Sequence, residues 1–123
     1  MASRSARTPS AEAKTWLAKL KRWTAALPGV DCTTTFGNPT FKVKGRAFLV
    51  LDRYRDTDCL WLRVAPVRRA TLVAQPGWFP SPYDPKRQAL CVALDSIDGR
   101  TIRSLVRASY AQAAEPPAKR KRS

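Results

Sequence analysis

No histidine occurs among the 123 residues. Without imidazole there is no Ser–His or Cys–His pair, no histidine base and no histidine-bearing metal site. Acidic residues are scarce, nine against 23 lysines and arginines. Cysteine occurs three times, at Cys32, Cys59 and Cys91, an odd number with no C-x-x-C spacing. That pattern speaks against a disulfide framework or a zinc site and fits a reducing compartment. No apolar run approaches the ~20 residues of a membrane span. The opening MASRSARTPS lacks the apolar stretch of a secretory signal. No glycine-rich phosphate loop is present. These absences point away from an enzyme, a metal, another cofactor or a membrane, and toward a cytoplasmic binding protein.

What is abundant is positive charge. The formal net charge is +14. Arg4 and Arg7 lie in the first ten residues, and Lys119, Arg120, Lys121 and Arg122 in the last eight. The stretch 11–115 still holds 17 basic and 9 acidic residues. A basic excess of this kind is a statement about partners rather than fold, and a polyanion is the natural one. DNA is one such polyanion, and would place the protein with the nucleoid. RNA or an acidic protein is the alternative. A monomer or weak dimer is expected.

The pattern along the chain predicts one α+β domain over residues 10–115, a two-layer sandwich with a mostly antiparallel sheet. A disordered basic segment (1–9) and a basic tail (116–123) flank it. A helix is expected to start near Thr8–Ser10, with Pro9 at its first position and Glu12 at its positive end. Trp16, Leu20, Trp23 and Leu27, with Leu17, form its apolar stripe, and Pro28-Gly29 ends it. Thr33–Phe36 reads as a short strand and Gly37-Asn38-Pro39 as a turn. Thr40–Val43 and Arg46–Leu51 read as a hairpin about Lys44-Gly45. That turn sets Phe41 opposite Phe48 and Val43 opposite Arg46, with Lys42 on the other face from Phe41. Residues 52–58 read as a charged loop. Leu60–Val64 is a strand with Trp61 and Arg63 on one face. Pro66 opens a short helix. Residues 78–85 form a proline-rich loop whose Trp78 and Phe79 either recognise a partner or plug the sheet edge. Residues 89–94 are a buried strand. Asp98 caps a last helix. Its buried face is Ile102, Leu105, Val106, Ser109 and Tyr110, and its basic face Arg100, Arg103 and Arg107.

Candidate phosphate contacts follow from this layout. Lys42, Lys44 and Arg46 crowd one hairpin, and Gly45 allows close approach. Arg63 and Trp61 share the sheet face of Lys42, and Arg68 and Arg69 open the second helix. Cationic donors suit phosphate oxygens, and an aromatic among them suits stacking on a base. Trp61 has a plainer reading, packing beneath a helix. Arg100, Arg103 and Arg107 have no acid at i±4 and are either a solvated face or a partner's footprint. The tail Lys119, Arg120, Lys121 and Arg122 reads as an auxiliary arm or a solubilising end. Asp52, Asp56 and Asp58 resemble a cation loop, but Arg53 and Arg55 interleave with them and point to an ion-paired loop.

Several segments resemble a known family. Leu27-Pro28-Gly29-Val30 and the run Phe36-Gly37-Asn38-Pro39-Thr40-Phe41-Lys42-Val43-Lys44-Gly45-Arg46-Ala47-Phe48 are similar to the signature of MmcQ/YjbR-like proteins. Phe79-Pro80-Ser81-Pro82-Tyr83 and Ser109-Tyr110 resemble that family's loop and helix ending. The resemblance covers roughly residues 15–115. It implies the order α-β(3)-α-β(2)-α, a fold akin to secretion chaperones, a DNA-binding "double wing" and no established enzymatic activity. One departure is Gln88-Ala89-Leu90-Cys91-Val92, where the family tends to carry Gly-Trp-Val before its last strand. The resulting expectation is a non-enzymatic nucleic-acid-binding domain of low sequence specificity. The alternative is a chaperone-like module for an acidic protein. An enzyme acting on an anionic small molecule would instead need an arginine-lined pocket, with Asp52 or Asp84 required for turnover.

Overall fold

The computed structural model describes residues 11–35, 37–81, 84 and 88–115. The expected disorder of 1–9 and the basic tail 116–123 lie outside the described residues, as do Phe36, Pro82 and Tyr83.

Helix α1 (Ala11–Ala25) buries Ala13, Trp16, Leu20 and Thr24. Their spacing of three or four residues keeps them on one face. Trp23 and Leu17 flank that stripe half-buried, whereas Leu27 falls beyond the helix end. The Thr24 hydroxyl satisfies itself by donating to Leu20 O at 2.8 Å.

Four strands follow rather than the three implied by the family order: β1 (Val30–Thr35), β2 (Asn38–Val43), β3 (Arg46–Tyr54) and β4 (Thr57–Arg63). They form an antiparallel meander. The β2–β3 turn has both Lys44 (φ 53°) and Gly45 (φ 77°) in the left-handed region. That geometry matches the twist of the strands it joins. Val43 faces Arg46 as expected, but a bulge between Phe41 and Lys42 shifts the register. Phe41 therefore opposes Leu49, not Phe48. The bulge lets both Phe48 and Leu49 turn into the core. The 52–58 stretch is also not a loop. Strands β3 and β4 continue to Tyr54 and from Thr57, and turn on Arg55 (φ 51°) and Asp56 (φ 64°) alone. Within this hairpin Arg53 and Asp58 approach to 3.7 Å, consistent with the ion-paired reading.

Helix α2 (Pro66–Val73) leads to β5 (Trp78–Pro80) and β6 (Ala89–Ala93). The sheet order is β1-β2-β3-β4-β6-β5. Trp78 and Phe79, expected in a loop, form this short edge strand, and Phe79 stacks on Tyr54 at 5.9 Å. All five β6 residues are buried. A 3-10 turn (Leu94–Ser96) then meets α3 (Gly99–Ala114). Asp98 caps α3, accepting from the Thr101 amide at 3.1 Å and its hydroxyl at 2.6 Å.

Register assigns the two sheet faces. Phe41, Leu49, Leu51, Leu60, Leu62, Leu90 and Val92 share one face and the core with α1 and α3. Each fully buried leucine contributes roughly 2 kcal/mol of transfer free energy. Lys42, Val50, Asp52, Trp61, Arg63 and Cys91 alternate onto the other face. No helix is long and apolar enough to cross a membrane among the described residues.

Candidate functional site

The structure separates the expected basic cluster. Lys42 belongs to the sheet face away from α1 and α3, opposite Asp31 on β1 and Ala47 on β3. Lys44 is exposed at the turn. Arg46 faces the other way, because it pairs with Val43. Its Nε donates to Ala113 O at 2.8 Å and its Nη2 to Glu115 O at 2.7 Å. These carbonyls end α3 and have no partner within the helix. A cation there also meets the negative end of the helix dipole. Arg46 thus fastens the end of α3 to the hairpin.

Two further arginines are also held by backbone. Arg63 Nε donates to Ala47 O at 2.8 Å. Burial pushes the Arg63 guanidinium below the usual arginine range, and neighbouring Arg46 adds to that, with Asp84 opposing. Arg69 Nη1 donates to Ala89 O at 2.8 Å. Arg68 is exposed on α2, beside Val67. Trp61 lies on the Lys42 and Arg63 face, half-buried, opposite Val50 and Cys91. It is not under α1 or α3. Of the six expected cations, Lys44 and Arg68 are thus exposed, and Lys42 is half-buried with no side-chain hydrogen bond or ion pair among the described residues. The tail residues Lys119, Arg120, Lys121 and Arg122 lie outside the described residues.

Two structural devices escape sequence reasoning. The Ser109 hydroxyl is fully buried, donates to Phe48 O and accepts from the Arg63 amide at 2.8 Å. The β3–β4 pairing ends at Leu49 and Leu62, so Ser109 stands in for the next rung. Tyr110 Oη donates to Pro28 O at 2.6 Å and its ring meets Phe48 edge-on at 5.4 Å. The second is a set of aromatic–cation contacts along α1, one of which reaches across from α3. Lys19 Nζ lies 4.7 Å from the Trp16 ring, Arg103 5.6 Å from the Trp23 ring, and the two indoles meet edge-on at 6.0 Å.

Chemistry of other kinds finds little here. Cys59 and Cys91 are buried neighbours, and the Cys91 thiol and burial push the Cys59 thiol far up. A groove of about 590 Å³ runs between the end of α1 and β1, lined by Lys21, Thr24, Asp31 and Phe41, with no arginine. No group of three metal-ligating side chains occurs among the described residues.

The Leu27-Pro28-Gly29 segment and Ser109-Tyr110 are therefore bonded parts of one scaffold, with Gly29 at φ 75°. The YjbR family model matches residues 25–112, which span both. The chain belongs to the YjbR family. Its fold is similar to that of a Deinococcus radiodurans protein with a DUF419 domain, with a TM-score of 0.73 and 26% identity over 85% of this chain and 82% of that one. It is also similar to a Pseudomonas syringae protein, with a TM-score of 0.63 and 15% identity over 78% of this chain and 97% of that one. The second likeness shows fold alone. No curated protein matches the sequence. Within this YjbR-family chain, the hydrogen bonds just described explain why signature segments 82 residues apart go together.

Proposed function

We propose that this YjbR-family domain is a non-enzymatic nucleic-acid-binding module that holds DNA through its phosphates. The observation that carries the proposal is the surplus of solvent-facing cations. Residues 11–115 hold 17 basic and 9 acidic residues. Between described residues one ion pair forms, Arg53–Asp58. Lys42, Lys44 and Arg68 offer charge to phosphates, with the tail Lys119, Arg120, Lys121 and Arg122 as an auxiliary arm. Arg46, Arg63 and Arg69 each use N–H groups on backbone carbonyls, and their charge adds to the long-range field. Trp61 lies half-buried on the face of Lys42 and Arg63. Low sequence specificity is expected, because α2 carries no asparagine or glutamine and the one glutamine of α3, Gln112, stands in its last turn beyond the arginines. A cytoplasmic, nucleoid-associated location accords with this reading.

The chaperone-like alternative calls for a broad exposed apolar patch. Among the described residues the large apolar side chain standing in solvent is Val67, 86% exposed. One valine is a small docking surface, so the phosphate reading is preferred. The test is fluorescence anisotropy with random-sequence duplex DNA and an acidic polypeptide of matched charge. Selective, salt-sensitive binding of DNA supports the proposal. Equal binding of the polypeptide removes it.

A further inference from the structure

The packing of α1 on α3 makes a second basic surface. At about 100° per residue, Lys19 falls on the flank of α1 that carries Trp23, and Arg22 falls next to that flank on the outward side. On α3, Arg100, Arg103 and Arg107 fall on the flank that carries Tyr110. The Arg103–Trp23 contact at 5.6 Å and the bond from Tyr110 to Pro28 O show that these flanks face each other. Lys19 and Arg103 therefore border the seam, and Arg22, Arg100 and Arg107 stand on the outward surface of the two helices beside it. Acids on these helices stand at their ends: Glu12 in the first turn of α1, Asp98 as the cap before α3 and Glu115 as the cap after it. Arg22, Arg100 and Arg107 are exposed and have no hydrogen bond or ion pair among the described residues.

We propose that this α1–α3 seam is a phosphate-docking surface for duplex DNA, back to back with the Lys42 face, so that one molecule bridges two duplexes. The inference rests on the DNA-binding reading above and extends it. Like charges gathered without acids repel one another unless a polyanion neutralises them. Arg100 to Arg107 rise about 10 Å along the helix, which is the axial rise of about three phosphates on one strand. The indoles do not offer a stacking platform. Trp16 is 7% exposed, and Lys19 and Arg103 lie over the two rings. That favours duplex backbone over splayed single strands. The helices cover one side of the sheet and Lys42 belongs to the other, so one straight duplex cannot lie on both.

The full chain is tested in two assays: anisotropy on one labelled duplex, and capture of a labelled duplex by protein bound to an immobilised one. The seam variant is Arg22→Gln/Arg100→Gln/Arg107→Gln. The sheet variant is Lys42→Gln/Lys44→Asn, with asparagine chosen because it tolerates a positive φ. The native chain is expected to capture the second duplex. Each variant is expected to lose at least about tenfold of that capture while still binding one duplex, with a shallower salt slope. Native-like capture by the seam variant overturns the seam, as does a native chain that binds one duplex and captures none. A native chain that binds no duplex at all overturns the reading beneath it. Equal capture of an acidic polypeptide overturns specificity for DNA. Unchanged thermal melting of both variants confirms that folding is not the cause.

Discussion

The hydroxyl of Ser109 donates to the carbonyl of Phe48, 61 residues earlier, and accepts from the amide of Arg63. One side chain on a helix thereby completes a ladder that the β2–β3 bulge has disturbed. Removing it leaves a buried carbonyl and a buried amide unpaired, which costs about 1–3 kcal/mol. Ser109→Ala is expected to lower unfolding free energy by that amount in urea titration, with little change in the slope. A loss below about 0.5 kcal/mol would mean the strands close the gap unaided.

Arg46 separates structure from binding. Its two donors finish the last turn of α3. Arg46→Ala is expected to cost about 1 kcal/mol of stability. Lys42→Gln/Lys44→Asn is expected to leave stability within about 0.5 kcal/mol and to reduce DNA affinity instead. Thermal melts beside anisotropy on the same samples check the division.

Gly77 has φ 86°, and a Cβ there would lie 2.1 Å from Ser96 Oγ and 2.2 Å from Ser96 Cβ. Gly77→Ala is expected to lose at least about 2 kcal/mol from strain and overlap. Adding Ser96→Gly removes the overlap and not the backbone strain, so it should restore part of the loss. Full restoration, or none, in chemical denaturation would show that one of the two terms is absent.

The Asp98 cap gives a pH dependence of known sign. Its carboxyl is held below the usual range by the Thr101 hydroxyl first, then the Thr101 amide. A group whose folded pKa is depressed stabilises above its unfolded pKa, and that stability is lost as pH falls through the folded value. The stability advantage of the native chain over Asp98→Asn should therefore be full at neutral pH and shrink below about pH 4. Paired urea titrations across that range read it directly.

Cysteine reactivity follows burial. Cys32 is exposed on β1, whereas Cys59 and Cys91 are buried. A thiol reagent should modify one cysteine in the native protein and all three after denaturation. Rapid native modification of Cys59 would contradict the packing of β4 on β6.

Much of this fold was legible from local pattern. The α1 stripe, the Lys44-Gly45 turn, the buried β6 and the Asp98 cap all rest on neighbours within a few residues. The Arg55-Asp56 turn was not, because two non-glycine residues take positive φ there and only aspartate hints at it. Strand β5 was hidden by its prolines; Pro80 ends an edge strand, where a missing N–H costs little. Among site residues, the sequence placed Lys42, Trp61 and Arg63 on one face, which the register confirms. The expected Val43–Arg46 pair also put Arg46 on the other face, but the sequence could not show Arg46 capping α3, nor bring Arg103 over Trp23. Those contacts join residues 67 and 80 positions apart and depend on how helices dock on the sheet.

The most direct test of the central claim is the salt dependence of duplex binding by the full chain. With about six phosphates neutralised, log K should fall against log salt with a slope near −5, alike for unrelated sequences. A flat dependence, or no binding at low salt, would contradict phosphate recognition as the function of this domain.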